Sequence, residues 1–493
     1  MKRLVLALVL AAAALASCAH SSSTTQAQAS PSVVATRPPT PIAAAPSAPP
    51  WNSAEVRNLR SQLRAALGAS ALATSGIAIL DAQGRPLFER RDHDPFAPAS
   101  TFKLIVGASA LETLGPDYRF PTTFESDDDP YDGTIAGDLY LVGSGDPTLT
   151  RDDLRGGAGA VSRDGVREVR GALVADASAF SGPEVNPAWD PGDLQYGYAA
   201  GTSALSLDQG TAEFHVVPTS VGAPAVVKVL PPSDDVHLHG AIFTSYSTLL
   251  SIARAPDRND FTLDGRVASG AEQSFWEPIV DQALFAADAA RTMLRDRGVD
   301  VASGVRLGVA PVVPYVLWRH RSRPLHDIVH QMFVESNNHF AEQLLRALGD
   351  TRGAGTEAEG AVVERAVLAR EGAPQNGLRI VDGSGLAATD RVAPLTLAML
   401  LARTAAEPVG TTFIDALPKV GMEGTVRYRQ LTDGYGRVRA KSGHIENVNA
   451  LAGYVQTRRH GRVVFAIIVN DRRADDGPVD DGIDAALDVL ARS

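Results

Sequence analysis

Cysteine is almost absent from this sequence, with Cys18 as the only one among 493 residues. A chain with one cysteine cannot form an intramolecular disulfide, so its fold cannot depend on one. Aromatic residues are also scarce at 6%, although hydrophobic residues as a whole reach 44% and charged residues 21%. This composition is typical of a soluble globular protein, and the length allows two or three hydrophobic cores.

Excess positive charge and long apolar runs are missing as well. The formal net charge is −11, and no basic stretch with interleaved aromatic residues offers a local exception. This charge argues against nucleic acid as a partner. No internal run of 18 or more apolar residues predicts a membrane-spanning helix.

Lysine is rare, since it supplies only five of the 46 basic residues. They are Lys2, Lys103, Lys228, Lys419 and Lys441. A guanidinium group keeps its proton in proteins, whereas a desolvated lysine amine can lose its proton and act as a base. A lysine at position 103 in an arginine-rich chain therefore indicates a task that arginine cannot perform.

The stretch Pro98–Leu104 places Ser100 three residues before Lys103, at the start of a helical pattern that ends at Gly115. Residues at i and i+3 share a helix face, so Lys103 can reach Ser100. Free backbone N–H groups at the first turn and the helix dipole would stabilise an oxyanion beside a serine nucleophile. Taken alone the signal is weak, because most such pairs lie on a solvated helix face.

The N-terminus has the features of a targeting segment. Lys2 and Arg3 precede a short apolar region over residues 4–16. The following Leu15–Cys18 resembles the lipobox of bacterial lipoproteins, in which the signal is cut before a cysteine that becomes diacylated. The resemblance implies a lipoprotein signal peptide at residues 1–18 and a lipid anchor on Cys18. The alternative is a plain secretory signal with an incidental cysteine.

Residues 19–50 consist almost entirely of Ala, Ser, Thr, Pro and Gln, which predicts a disordered linker. Ala19 stands where an aspartate usually retains lipoproteins in the inner membrane. We therefore expect a lipid-anchored protein on the periplasmic side of the cell envelope, in the outer membrane if the cell has two.

Hydrophobic periodicity predicts α/β structure at both ends of the chain and a β-rich region between them. An amphipathic helix is predicted over 51–67, followed by a strand and a hairpin turn at 76–88. Short strands and turns dominate from about residue 120, and helices resume at Leu325. The middle region holds no evident catalytic cluster, and His237 and His239 are more typical of an exposed strand than of metal ligands.

Three short motifs occur in a fixed order: Ser100–Lys103, Ser336–Asn338 and Lys441–Gly443. Together they match the S-x-x-K, S-D-N and K-T-G set of β-lactamases and penicillin-binding proteins. The set predicts a cleft in which a nucleophile and its base stand at a helix start. A hydroxyl and an amide on a helix–helix turn would form one wall, and a lysine and a hydroxyl on a sheet edge the other. Taken alone, Ser336 and Asn338 could equally cap two helices.

The chain resembles the class C low-molecular-mass penicillin-binding proteins, which form the D-alanyl-D-alanine carboxypeptidase/endopeptidase family (peptidase family S13). The resemblance covers nearly all of residues 51–493. Beyond the motifs it is carried by residues 137–147, 203–206, 341–342, 382–386 and 450–455. In this family two domains are inserted between the first and second motifs, and the long gap between Ser100 and Ser336 fits that arrangement.

The resemblance implies an α/β fold: a serine β-lactamase/transpeptidase-like α/β sandwich with two inserted β-rich domains. The catalytic domain would comprise residues 51–125 and 318–493. Inserted domain II would comprise residues 126–205 and 291–317, and inserted domain III residues 206–290. The implied reaction is serine acyl transfer to water without metal or cofactor. Its substrate would be the D-Ala-D-Ala end of a peptidoglycan stem peptide, or a D-Ala–diaminopimelate cross-link, and β-lactam antibiotics would acylate the same serine.

The resemblance also implies a role for each motif residue. Ser100 would attack the carbonyl of the penultimate D-alanine, and Lys103 would take its proton. Ser336 would pass a proton to the leaving amine, and Asn338 would hydrogen-bond the substrate backbone. Lys441 would maintain the electrostatics of the site and help to position Ser336.

The third motif would bind the end of the substrate. Ser442, where the family usually has threonine, would bind the terminal carboxylate beside Gly443. The N–H groups of Ser100 and His444 would form the oxyanion hole. His444 departs from a usual threonine and could bind a carboxylate, narrow the cleft or point to solvent. Asn447 stands near a position where the family usually has glycine.

An acidic residue shortly after a tryptophan reaches the cleft in this family, where it is thought to receive the free amino group of diaminopimelate. Asp193 fits that position, with Asp190 as the nearby competitor. An aspartate beside Pro191 and Gly192 is also a common turn residue, so both interpretations of Asp193 stay open.

Two other functions compete with a D,D-peptidase. A β-lactamase or esterase of the same superfamily would share Ser100 and Lys103, but it would need a dedicated deacylating group and no inserted domains. A non-catalytic cell-wall-binding lipoprotein would keep the fold and lose the chemistry. The intact Ser100, Lys103, Ser336, Asn338 and Lys441 argue against the latter.

Overall fold

The computed structural model describes residues 49–68, 72–353, 355–470 and 476–493. Cys18, the expected signal peptide and the expected linker up to residue 48 lie outside the described residues. The helices are α1 (Ser53–Ala66), α2 (Lys103–Leu114), α3 (Arg151–Arg163), α4 (Gln282–Asp296), α5 (Leu325–Glu335), α6 (Asn338–Asp350), α7 (Glu357–Arg370), α8 (Pro394–Thr404), α9 (Gly410–Ala416) and α10 (Asp476–Arg492). Within the described ranges, none of them is both long and apolar enough to span a bilayer.

The strands are β1 (Ser75–Asp81), β2 (Pro86–Arg90), β3 (Pro121–Ser126), β4 (Thr134–Ile135), β5 (Leu139–Gly143), β6 (Glu168–Val169), β7 (Leu173–Asp176), β8 (Thr211–Val217), β9 (Val226–Leu230), β10 (His237–Gly240), β11 (Phe243–Ser245), β12 (Leu249–Arg254), β13 (Asp260–Ala268), β14 (Gln273–Pro278), β15 (Asp300–Val301), β16 (Val305–Leu307), β17 (Tyr315–Arg321), β18 (Val438–Ile445), β19 (Val448–Gln456) and β20 (Arg462–Val469).

A five-stranded antiparallel sheet joins the two ends of the chain in the order β18-β19-β20-β1-β2. Strands β1, β19 and β20 are buried along nearly their whole length, in agreement with their uninterrupted apolar sequences. Both faces of the sheet are covered: α1 and α10 share a hydrophobic core with one face, and α2 and α8 share a core with the other. This confirms the predicted α/β sandwich.

Helix α2 is the centre of the second layer. Its residues from Lys103 to Leu111 are all buried, as expected of a helix that is apolar on nearly every side. Gly107 allows α5 to approach closely, since a Cβ atom there would lie 2.5 Å from a ring carbon of Phe333. The N-terminal end of α2 therefore has a fixed position against the sheet.

The region between β2 and α5 forms four further sheets. The largest has the order β16-β7-β5-β3-β17, and α3 and α4 pack on one another beside it. The residues predicted as domains II and III share one hydrophobic core, which includes Leu173 and Phe214. The domain limits stay a prediction. Limits at 125 and 318 would divide strands β3 and β17, which pair with each other over Pro121–Ser126. Such a pairing of distant segments leaves no local signal in the sequence.

Candidate active site

Ser100 lies in a tight turn, the 3₁₀ helix Ala99–Phe102, immediately before α2. A 3₁₀ helix has three residues per turn, so side chains at i and i+3 are aligned. Lys103 Nζ accordingly lies 3.0 Å from Ser100 Oγ. Ala99 has a positive φ of 47°, which is uncommon for a residue with a side chain. Gly385 packs directly against this turn, since a Cβ atom at Gly385 would collide with the carbonyl oxygen of Ala99.

Lys103 is fully buried and contacts three oxygen atoms. Besides Ser100, its Nζ lies 2.6 Å from Asn338 Oδ1 and 2.8 Å from the carbonyl oxygen of Ser384. Neither of these two oxygens can donate a hydrogen bond. A neutral Lys103 can give its two N–H groups to them, and its lone pair then faces the only donor of the three, the Ser100 hydroxyl.

Burial lowers the pKa of Lys103 to about 8, although the carboxyl groups of Asp382 and Glu342 act in the opposite direction. A substantial fraction of Lys103 is therefore neutral near physiological pH. Burial lowers the pKa of Lys441 well below its usual value, and the positive charge of Lys103 lowers it further. Burial and mutual repulsion thus both disfavour the charged form of these two lysines.

The second motif occupies the link between α5 and α6, and its three residues have different tasks. Ser336 ends α5 with a left-handed φ of 59°. Asn337 caps α6, because its Oδ1 accepts a hydrogen bond from the N–H of Phe340 at 3.0 Å. Asn338 reaches Lys103. The capping role that the sequence left open thus belongs to Asn337, while the residues on either side of it face the cleft.

The third motif lies on β18 and forms the opposite wall. Lys441 is fully buried, and its Nζ lies 2.9 Å from Ser336 Oγ and 2.7 Å from the carbonyl oxygen of Ser442. The hydroxyl groups of Ser442 and Thr425 lie 2.7 Å apart. Gly443 passes so close to the nucleophile turn that a Cβ atom there would lie 3.0 Å from the backbone nitrogen of Ser100. Only glycine permits this contact between the strand and the turn.

His444 and Asn447 also differ from the residues that the resemblance leads one to expect. His444 is exposed and lines the cleft together with Ser100. Asn447 is the second residue of the two-residue turn between β18 and β19, with a φ of 60°. Asparagine tolerates this left-handed region better than other residues with a side chain, so it can replace a glycine there.

A layer of buried carboxyl groups behind Lys103 was not predicted from the sequence. Glu342 accepts hydrogen bonds from the N–H groups of Gly383 and Ser384 at 2.8–3.2 Å. Asp382 accepts from the N–H groups of Gly385 and Ala387 at 2.6 and 2.7 Å. These bonds shape the turn that directs the Ser384 carbonyl oxygen at Lys103. Both carboxyl groups lie in stretches that carry the family resemblance, which was the available signal.

Asp390 completes this layer. Burial raises the pKa of Asp390 to about 11, and the neighbouring Asp382 contributes to the shift. Asp390 therefore carries a proton at neutral pH and can share it with Asp382. Burial, together with Asp382, also raises the pKa of Glu342 well above its usual value. Sharing protons limits the negative charge that the layer presents to Lys103.

A loop from the inserted region, residues 186–198, forms the third side of the cleft. The indole Nε1 of buried Trp189 donates to Asp382 Oδ2 at 2.8 Å, and Asn338 Nδ2 donates to the carbonyl oxygen of Tyr198 at 2.9 Å. The loop is thereby fixed at two points that each contact a partner of Lys103. Asp193 is half-buried and accepts from the Tyr198 hydroxyl at 2.7 Å.

This loop, Ser100, the second motif and residues 444–447 at the β18–β19 turn surround a cavity of about 680 Å³. Asp190 and Asp193 both line it. Asp190 Oδ1 accepts a hydrogen bond from the N–H of Gly192 at 2.8 Å, which is the contact of a turn aspartate. A second cavity of about 870 Å³ lies on the side of Ser442 and Thr425 and also reaches Ser100. Substrate can thus extend in two directions from the nucleophile.

The structure brings the five motif residues to one cleft in two hydrogen-bonded groups: Lys103 contacts Ser100 and Asn338, and Lys441 contacts Ser336. Ser100 and Ser336 line the same cavities. This arrangement can remove a proton from one hydroxyl through Lys103 and move another through Ser336 and Lys441, which is the requirement for acyl transfer. Ser442, Gly443, His444 and Asp193 line the cleft around it or contact its backbone. Their individual roles stay predictions.

Comparison with known proteins gives consistent results. The chain is 34% identical over 457 residues to a D-alanyl-D-alanine carboxypeptidase of Actinomadura sp., covering 88% of this chain and 85% of that protein. It is 30% identical over 442 residues to carboxypeptidase DacB of Mycolicibacterium smegmatis, covering 84% and 80%. The crystal structure of penicillin binding protein 4 (dacB) from Haemophilus influenzae matches with a TM-score of 0.77 and 23% identity, over 88% of this chain and 100% of that one. The model of the D-Ala-D-Ala carboxypeptidase 3 (S13) family matches residues 59–493, and the chain belongs to this family.

Proposed function

We propose that this protein is a serine D,D-peptidase that hydrolyses the D-Ala-D-Ala end of peptidoglycan stem peptides, the D-Ala–diaminopimelate cross-link, or both. The observation that carries the proposal is the buried amine of Lys103, which contacts Ser100 Oγ at 3.0 Å while two carbonyl-type oxygens occupy its other hydrogen-bonding positions. Relatives named D-alanyl-D-alanine carboxypeptidase support the substrate.

In this proposal the reaction begins when neutral Lys103 takes the Ser100 proton and Ser100 Oγ attacks the carbonyl carbon of the penultimate D-alanine. The peptide C–N bond then breaks, and Ser336 delivers a proton to the leaving amine with Lys441 as its partner at 2.9 Å. An ester between Ser100 and the peptide remains. The proton that Lys103 took from Ser100 replaces the one that Ser336 gave to the amine. Water then attacks the ester and gives one proton to Lys103, which passes it to the departing Ser100 Oγ, and the shortened peptide leaves with a free carboxyl group.

We predict that penicillin forms one covalent adduct, on Ser100, because a β-lactam presents a reactive carbonyl to the same nucleophile. Intact-mass spectrometry should show the adduct in wild type and none in Ser100→Ala, and the wild-type adduct should persist long after free drug is removed. Release within seconds would favour the β-lactamase alternative. Labelling of Ser100→Ala would disprove the assignment of the nucleophile.

Acylation should depend on pH through Lys103. The neutral amine is the reactive form and predominates above its pKa of about 8, so the acylation rate should rise with pH up to that value and then level off. Lys103→Arg keeps a positive charge but cannot act as a base, so acylation should slow at least about 10²-fold, the lower limit for general-base catalysis. Stopped-flow acylation from pH 6 to 10 measures both effects. If the acylation rate of Lys103→Arg lay within a few-fold of the wild-type rate, Lys103 would have only an electrostatic role.

We further propose that Asp193 binds the free amino group of a diaminopimelyl side chain. Asp193 lines the cavity that reaches Ser100, and the Tyr198 hydroxyl fixes its carboxylate from one side. Burial raises the pKa of Tyr198 to about 12, and the hydrogen bond to Asp193 is the second cause of this shift. The hydroxyl therefore remains a donor. Asp190 lines the same cavity, but its carboxylate already accepts a hydrogen bond from the N–H of Gly192.

Asp193→Asn should therefore remove the preference for a substrate with a free side-chain amine over its acetylated form. A charged hydrogen bond contributes about 1.5–3 kcal/mol, and this amounts to about 10- to 150-fold in kcat/KM. Asp190→Asn is the matched control and should keep the preference, while penicillin acylation stays near wild type in both variants. If Asp193→Asn retained the preference, the amine would be bound elsewhere.

The proposed location is the periplasmic side of the cell envelope, with a lipid anchor on Cys18. The support is the sequence Leu15–Cys18 and the linker composition that follows it. In a bacterial host with a lipoprotein pathway, the full-length protein should fractionate with membranes, and Cys18→Ala should be largely soluble. Equal membrane association of the two proteins would contradict the anchor.

A further inference from the structure

A third cavity of about 730 Å³ lies on the far side of the Ser336–Asn338 turn from the acyl-transfer cluster. We call it the insertion cavity. It shares Tyr198, Ser336 and Asn338 with the cavity that Asp193 lines, so the two cavities adjoin at these residues. One wall comes from Gln331 and Glu335 of α5 and from Arg323, which precedes that helix. The other comes from the inserted region, with Gln209 and Trp276.

The inserted region approaches the second motif through an unusual turn. Asp208, Gln209 and Gly210 all have positive φ values, of 47°, 62° and 72°. A residue with a side chain is strained in this conformation, and such strain is found mainly at functional sites. The turn directs Gln209 at the motif, where Gln209 Oε1 accepts a hydrogen bond from Asn337 Nδ2 at 2.6 Å.

Trp276 is the most prominent side chain of the insertion cavity. It lies on β14 and is 55% exposed, although an indole is normally buried. Its neighbour on β8 is Glu213, which pairs with Arg151 at 2.6 Å. Arg151 also lies 3.5 Å from Asp208. Trp276 thus lies on the sheet beside a network of ion pairs and remains more than half exposed.

The positive and negative charges on the lining balance one another, so the cavity favours a ligand without net charge. Arg151 and Arg323 are matched by Asp208 and Glu335, and the four side chains already have partners within the cavity walls: Arg151 pairs with Asp208, and Gln331 contacts both Arg323 and Glu335. An uncharged ligand must then offer an apolar face to Trp276 and hydroxyl or amide groups to the polar rim. Of the parts of peptidoglycan, the N-acetylated amino sugars have this combination, whereas the stem peptides carry charge.

We propose that the insertion cavity binds N-acetylamino sugars of the peptidoglycan glycan strand, so that the inserted region holds the polymer while Ser100 attacks a stem peptide. This inference rests on the proposed function, since it takes peptidoglycan as the substrate. Trp276 supplies the stacking surface, and Gln209 and Asn337 supply polar contacts at the border with the cleft. None of these three side chains takes part in the proton transfers.

The test compares two substrates with the same stem peptide, one bare and one attached to the N-acetylglucosaminyl–N-acetylmuramyl disaccharide. Wild type should have a higher kcat/KM for the muropeptide, and Trp276→Ala should lose at least about tenfold of that preference, as truncation of an anchoring tryptophan does at interfaces. Trp276→Phe should retain most of it. Tyr246→Ala is the matched control, because Tyr246 is an aromatic residue of the same region that is 86% exposed and outside the cavity lining.

Penicillin acylation and hydrolysis of the bare peptide should be unchanged in all these variants, which verifies that they fold. As a second measurement, uncharged tetra-N-acetylchitotetraose should bind wild type whose Ser100 is already acylated by penicillin, and Trp276→Ala should bind it at least about tenfold more weakly.

Equal kcat/KM for the two substrates in wild type would overturn the inference and leave the proposed function intact. A Trp276-dependent preference for a sugar-free cross-linked peptide dimer would also overturn it, since the cavity would then bind a second peptide. Failure to hydrolyse either substrate would instead refute the proposed function, and sugar binding to the acylated protein would still report on the cavity.

Discussion

The site depends on the burial of one amine between one hydroxyl and two oxygens that cannot donate. Lys103 has no access to solvent, so its ammonium form lacks hydration, and its pKa falls to about 8. The carbonyl oxygen of Ser384 and Oδ1 of Asn338 orient the amine of Lys103. Most of the surrounding structure serves this arrangement: the 3₁₀ turn aligns Ser100, the left-handed Ser336 turns toward Lys441, and the carboxyl layer holds the 383–387 turn.

The inserted region is part of this arrangement as well. Trp189 and Tyr198 belong to a loop that is distant in sequence from the motifs, yet each contacts a group that positions Lys103. From the other side, Gln209 contacts the residue that caps α6. The second motif therefore lies between two contributions from the inserted region.

The sequence predicted the features that depend on short spacing. The Ser100–Lys103 pair follows from helical geometry, and the buried strands follow from uninterrupted apolar residues. The carboxyl layer was not predicted, because Glu342, Asp382 and Asp390 come together only through tertiary packing. Two further features could not be predicted from local sequence. The role of Asn447 becomes clear only from its backbone angle, and the pairing of β3 with β17 crosses a predicted domain boundary without any local mark.

Tyr198 has one further consequence. Its side chain lines both the cleft and the insertion cavity, its carbonyl oxygen accepts from Asn338, and its hydroxyl donates to Asp193. A ligand that displaces this residue from one side alters the binding surface on the other. Thermodynamic reciprocity then requires that each ligand change the affinity of the other by the same factor. The residue that separates the two cavities is thus also the element through which they would communicate.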